Sequence, residues 1–170
     1  MLRLIHALFD IMLHRRGPDS LPSSPFLFWL LLAIMLASGF AQLVVAGITL
    51  LHTAVLLLVA GFELWFVWAV LRLFERQQRF RQTMSAVLGT DAIISLMITP
   101  LIAFEQPPAT PEDVSPAAFV VLLLVLWSID IMAFVLSRAL ERPYLLTVAV
   151  SLAYFFLMWT LQITLLPRPA

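Results

Sequence analysis

Ser20-LPSSPFLFWLLLAIMLASGFAQLVVAGITLLHTAVLLLVAG-Phe62 runs for 43 residues without an Asp, Glu, Lys or Arg. A helix crossing the hydrocarbon core of a bilayer needs about 20 apolar residues. A single helix over this stretch would be roughly 65 Å long at about 1.5 Å per residue, twice the thickness of that core. The stretch is therefore two spans joined by a turn. Pro25 suits the first turn of a helix, which sets the first span at 26–46 and the second at 50–71, with Gly47 and His52 marking the turn.

Working outward, the same reading places spans at 84–104, 117–137 and 143–166. The second span is expected to continue as a helix into Arg72–Arg81. The linker Glu105–Pro116 holds four of the eleven prolines and cannot be helical throughout. Across all 170 residues, 62% are hydrophobic and 12% charged, against about 45–50% and about 25% in soluble domains. So few charges cannot cover a water-soluble surface. The expected fold is all-α, a polytopic membrane bundle of five transmembrane helices. Residues 1–24 form an amphipathic lead-in and turn, and 25–168 the membrane domain.

Charge orients the bundle. Lysine is absent, and nine of the ten arginines fall on one face under a five-span count: Arg3, Arg15, Arg16, Arg72, Arg76, Arg79, Arg81, Arg138 and Arg142. The other face receives Arg168 with Glu105, Glu112 and Asp113. By the positive-inside rule the N-terminus is cytoplasmic and the C-terminus exterior. Merging the first two spans would put Arg3, Arg15 and Arg16 opposite Arg72–Arg81 and erase the asymmetry. With no cysteine, disulfide scaffolds and thiolate metal sites are excluded. A formal net charge of zero argues against nucleic-acid binding.

The lead-in does not read as a signal peptide. His6 and Asp10 interrupt it, and Arg15-Arg16 follows with no small-residue cleavage site. On a helix, Arg3, His6, Asp10 and His14 align as one polar stripe. Leu2, Ile5, Leu8, Phe9, Met12 and Leu13 fill the other face. This is the pattern of a helix lying in the membrane interface; the plainer reading is a lead-in packed on the bundle.

Three acids fall inside spans. Glu63 is nine residues before Arg72, Asp91 ten after Arg81, and Asp130 eight before Arg138. All three are thus roughly 12–15 Å from the arginine ring. A charged Asp at mid-bilayer costs about 2.5–3.5 kcal/mol on lenient scales, and no span carries an Arg or Lys to pair with it. Glu63, Asp91 and Asp130, with Ser95 one turn beyond Asp91, are therefore the candidate site. They either handle protons or cations, or hold helices together as neutral hydrogen-bonded groups.

Other signals are weaker. Gln42 and Gln162 lie in outer halves of their spans and are placed to meet across the bundle. His52 reads as an interface residue rather than a metal ligand. Arg72, Arg76, Arg79 and Arg81 are candidates for contact with anionic lipid or a partner, although topology alone accounts for such a cluster. Trp29, Trp65, Trp68 and Tyr144 suit an aromatic belt. Ala33, Ala37 and Ala41, and Ala149 with Ala153, offer small-residue faces for close helix approach. Thr99-Pro100 is expected to kink or weaken its helix. No nucleophile–base arrangement and no glycine-rich phosphate loop is visible, so neither catalysis nor a cofactor is expected.

The stretch Arg81-Gln-Thr-Met-Ser-Ala-Val-Leu-Gly-Thr-Asp91, the segment Trp127-Ser-Ile-Asp-Ile131 and Arg138-Ala-Leu140 resemble the Yip1 family of integral membrane proteins. The lead-in Arg15-Arg-Gly-Pro-Asp-Ser-Leu-Pro-Ser-Ser-Pro25 is similar to that of short bacterial relatives. The resemblance implies five spans, a cytoplasmic N-terminus and a short exterior C-terminus. Eukaryotic members are associated with vesicle trafficking and Rab GTPases. Their long cytoplasmic N-terminal region is not matched here, so no GTPase role is carried over. The family defines no catalytic residues to transfer. The expected function is a non-enzymatic protein of the bacterial inner membrane that acts through lipid, a membrane-protein partner or a second copy of itself. The alternatives are a small proton- or cation-linked transporter using the intramembrane carboxyls, and a membrane subunit of a larger complex.

Overall fold

Residues 2–46, 50–104 and 115–165 are described by a computed structural model. The turn expected at Gly47 and most of the Pro-rich linker lie outside the described residues. Six helices run through these residues, with no strand among them: α1 (Leu2–Met12), α2 (Pro25–Ala46), α3 (Leu50–Leu73), α4 (Phe80–Ala103), α5 (Pro116–Leu140) and α6 (Tyr144–Leu165). Helices α2 to α6 are each long and apolar enough to cross a membrane. The chain is a multi-pass membrane protein with five candidate spans.

Helix boundaries follow local chemistry rather than the last apolar residue. Pro25 and Pro116 each open a helix, where a missing N–H costs nothing. Ser115 caps α5 by accepting the Ala118 N–H at 3.0 Å. Three helix ends at the arginine side close through a residue in the left-handed conformation: His14 (φ 59°), Glu75 (φ 59°) and Glu141 (φ 54°). After α1, the Arg15 N–H bonds the Asp10 carbonyl at 2.8 Å and the His14 N–H bonds Ile11 at 2.9 Å. After α3, the Arg76 N–H bonds Leu71 at 2.7 Å and the Glu75 N–H bonds Arg72 at 3.1 Å. Both are paired reverse bonds that usually rely on glycine.

The second of these closures changes one expectation. Arg72–Arg81 does not continue the helix: α3 stops at Leu73, a 3₁₀ turn spans Gln77–Arg79, and α4 begins at Phe80. The turn brings Arg76 and Arg79 back to Glu141, at 2.5 and 2.6 Å. Arg79 also donates to the carbonyls of Arg138 and Ala139, each at 3.2 Å. The last turn of α5, whose carbonyls lack intrahelical donors, is thereby satisfied. The α3–α4 and α5–α6 connections are thus tied together at one end of the bundle. The segment leading into α2 joins them, because Gln82 donates to the Leu21 carbonyl at 2.7 Å.

Helix α4 is the hub, packing on α1, α2, α3 and α5. Its run Thr83–Thr90 is buried throughout, and small side chains there let neighbouring helices approach. Gly89 marks one close approach: a Cβ at that position would lie 2.6 Å from a Leu8 methyl of α1. Gly39 marks another, with a methyl of Leu56 at 2.8 Å from the Cβ position. The alanine stripes behave differently. Ala33, Ala37, Ala149 and Ala153 are exposed on the outside of the bundle. Phe26, Trp29, Leu58, Leu122, Phe156 and Trp159 are also more than half exposed. A surface this apolar needs lipid as its solvent.

Helix α1 carries three sectors rather than two. Leu8, Ile11 and Met12 are buried in the core. Ile5, Phe9 and Leu13 form an exposed apolar stripe. Arg3 and His6 are exposed on the remaining sector, with Asp10 and His14 half-buried. The helix packs on the bundle and keeps a second apolar face outward. Its contacts with α4 and α5 are those of a lead-in packed on the bundle.

Candidate functional site

The polar side chains of the spans form two separate clusters. The deeper one joins α3, α4 and α6. Glu63 of α3, Asp91 of α4 and Tyr154 of α6 bring their side-chain oxygens within reach of one another. Glu63 is buried at 5% exposure, while Asp91 and Tyr154 are half-buried. Aromatic packing holds the tyrosine: its ring stands 5.0 Å from that of Phe66 and is stacked 6.5 Å from that of Phe62. Phe62 directly precedes Glu63, so one turn of α3 supplies both the acid and the wall beside the tyrosine.

Two bare carboxylates side by side repel strongly at low dielectric, and a single proton placed between two carboxyls removes that repulsion. Among the described residues no third His, Asp or Glu joins the pair to make a metal-binding group. The arrangement is a pair of neighbouring acids with a tyrosine beside it. Ser95 lies one turn away on α4; its carbonyl accepts the Gln42 side chain at 2.9 Å and the Thr99 hydroxyl at 2.8 Å. Gln42 thus ties α2 to α4. The same bonds lie beside Pro100, where α4 continues to Ala103.

Asp130 stands apart from Glu63 and Asp91. Its carboxylate accepts the Tyr144 hydroxyl and lies 3.1 Å from Nε2 of His14. The His14 ring stacks on Phe134 at 4.3 Å with 13° between planes. This second cluster joins the end of α1, the last turns of α5 and the first residue of α6. It borders an open cavity of about 620 Å³ at the arginine end. Arg138 lies over the Phe134 ring at 5.4 Å, and Arg142 over the Phe74 ring at 5.4 Å.

Of the four basic candidates in the α3–α4 connection, Arg76 and Arg79 are engaged by Glu141. Arg72 lies over the Trp68 ring at 5.1 Å. Arg81 is exposed and borders an outer hollow with Trp68 and Phe80. Sequence reasoning did not single out Tyr154, and it assigned Tyr144 to an aromatic belt. Neither tyrosine has a local signal of its role, because each meets its acid only through the packing of α6 on other helices. Comparison with family models, curated proteins and solved structures returns no match to this chain.

Proposed function

We propose that the chain is a non-enzymatic, Yip1-like protein of the bacterial inner membrane, with its arginine end in the cytoplasm, that works by docking lipid or protein partners at that end. The observation that supports this reading is the difference in closure between the two polar clusters. Glu63, Asp91 and Tyr154 gather inside the bundle, with Glu63 buried. The arginine end is cross-tied by Glu141 yet keeps an open, charged cavity. Cations near an anionic leaflet contribute about 1 kcal/mol each, and positive-inside orientation places this end there.

The test is reconstitution in nanodiscs of mixed composition, followed by lipid analysis and pull-down in mild detergent. The wild-type protein is expected to retain anionic lipid over phosphatidylcholine, or to bring down a membrane-protein partner in stoichiometric amount. The Arg72→Gln/Arg81→Gln variant is expected to lower that retention or yield. A wild-type protein with neither property rejects the reading.

A second reading, a small proton-linked transporter, is favoured by the direct contact of Glu63 with Asp91. Flux in proteoliposomes under a pH gradient tests it. Wild-type flux abolished in Glu63→Gln and Asp91→Asn, with both variants folded, supports transport; no acid-dependent flux rejects it.

A further inference from the structure

Helix α5 carries Asp130, Phe134 and Arg138 at intervals of four residues, so acid, ring and cation share one face. The Arg138 guanidinium lies back over the Phe134 ring, and Arg142 lies over Phe74, the residue after α3. Neither arginine is in an ion pair among the described residues, in contrast with Arg76 and Arg79, which share Glu141. The acids bordering the same cavity are already engaged. Glu141 faces two guanidinium groups, and Asp130 accepts the Tyr144 hydroxyl and lies beside His14. The cavity therefore presents two cations that form no ion pair with an acid among the described residues. Planar guanidinium groups in this state match phosphate oxygens.

The surroundings of the cavity point to the source of the phosphate. Leu13, next to His14, is 51% exposed, and Leu145, next to Tyr144, is 82% exposed. Exposed apolar side chains thus stand next in the chain to two residues that line the cavity, just past α1 and at the start of α6. A free phosphate has no use for them, whereas the acyl chains of a lipid do. We propose that the cavity between the end of α1, the last turns of α5 and the start of α6 is a headgroup site for an anionic phospholipid, with Arg138 and Arg142 holding the phosphate. This rests on the reading of the arginine end as a docking face and names one ligand for it.

Native mass spectrometry of the full chain, released from nanodiscs containing phosphatidylglycerol and phosphatidylcholine, tests the site. Wild-type protein is expected to retain phosphatidylglycerol preferentially. Arg138→Gln/Arg142→Gln removes direct contacts to phosphate as well as charge and is expected to lower that preference about 100-fold, roughly tenfold per lost contact. Arg72→Gln/Arg81→Gln removes the same charge from the docking face without a phosphate contact and is expected to lower it by no more than about 25-fold, roughly fivefold per arginine. Arg138→Lys/Arg142→Lys keeps the charge and covers the case in which the glutamine pair does not fold. It is expected to retain the lipid more weakly than wild type and more strongly than the glutamine pair. Millimolar inorganic phosphate is expected to leave the lipid in place, and displacement by it would assign the cavity to a soluble anion and overturn the lipid source. Equal losses in the two glutamine pairs, or unchanged retention in the lysine pair, would overturn the site while leaving the docking reading intact. No preference for phosphatidylglycerol in the wild type would reject this headgroup site; the docking reading then depends on the partner pull-down.

Discussion

The two polar clusters use the same residue types under opposite conditions. Each sets an acid beside a tyrosine of α6: Tyr154 lies by Glu63, and Tyr144 donates to Asp130. Glu63 is 5% exposed and has a second acid as neighbour. The Asp130 side chain is 42% exposed and lies beside His14 and an open cavity. The difference teaches that depth alone does not decide what an intramembrane acid does. In the interior, each carboxyl oxygen left without a partner costs its full desolvation. At the rim, water replaces a lost partner, so the groups there remain available to a ligand.

The strongest way to break the comparison is to remove one member of the deep pair. Asp91→Leu leaves Glu63 beside an apolar side chain inside the bundle and is expected to cost about 3 kcal/mol, the upper end for a buried polar group left unsatisfied. Glu63→Leu/Asp91→Leu together is expected to cost less than either single change, since no buried acid is then stranded. Unfolding midpoints in mixed detergent, read for the two singles and the double, check this. Additive losses would mean that the carboxyls do not act on each other.

A smaller effect is expected where α1 crosses the hub. Gly89→Ala places a methyl against Leu8 in a filled region, at a cost of about 1–3 kcal/mol for overpacking. Gly61 of α3 meets nothing within 4 Å. Gly61→Ala is therefore expected to stabilise its helix by up to about 1 kcal/mol. The separating measurement is labelling of a cysteine introduced at buried Ile11: faster in the Gly89 variant, unchanged in the Gly61 variant.

These contrasts also mark what was legible in the sequence. Span number was readable because lipid demands about 20 apolar residues for each crossing. Arginine counting gave the depth of Glu63, Asp91 and Asp130, but rise along a helix says nothing about azimuth. Asp91 turns toward α3, while Asp130 turns toward α1 and α6, and only tertiary packing sets that. The third sector of α1 was hidden for a related reason: Leu8 facing protein and Phe9 facing outward are equally apolar, so hydrophobicity cannot separate core from lipid. The α3–α4 turn escaped because its left-handed residue is Glu75, where glycine would have signalled a helix end.

That turn supplies a prediction of opposite sign to the core variants. Glu75 is exposed and holds φ 59°, a conformation costing a non-glycine residue about 1 kcal/mol. Glu75→Gly is expected to raise stability by up to that amount. Glu141 has φ 54° but also binds Arg76 and Arg79, so Glu141→Gly is expected to gain nothing or to lose stability. A thermal shift upward for the first and not for the second sharpens the view that charged groups at this end are retained for their contacts.

The smallest effect belongs to Asp130, and it is the most informative about the rim. Asp130→Asn keeps an oxygen to accept from Tyr144 and removes the charge beside His14. With 42% of the side chain exposed, solvent screening holds the expected loss to about 0.2–1 kcal/mol. Salt should shrink it further, because a pair at this exposure lies within reach of counter-ions. The deep pair offers the control: its variants are expected to lose the same stability at low and high salt. A loss at Asp130 that matched Asp91→Leu in size and ignored salt would place both acids in one solvent regime, and the distinction between a closed core and an open rim would no longer hold.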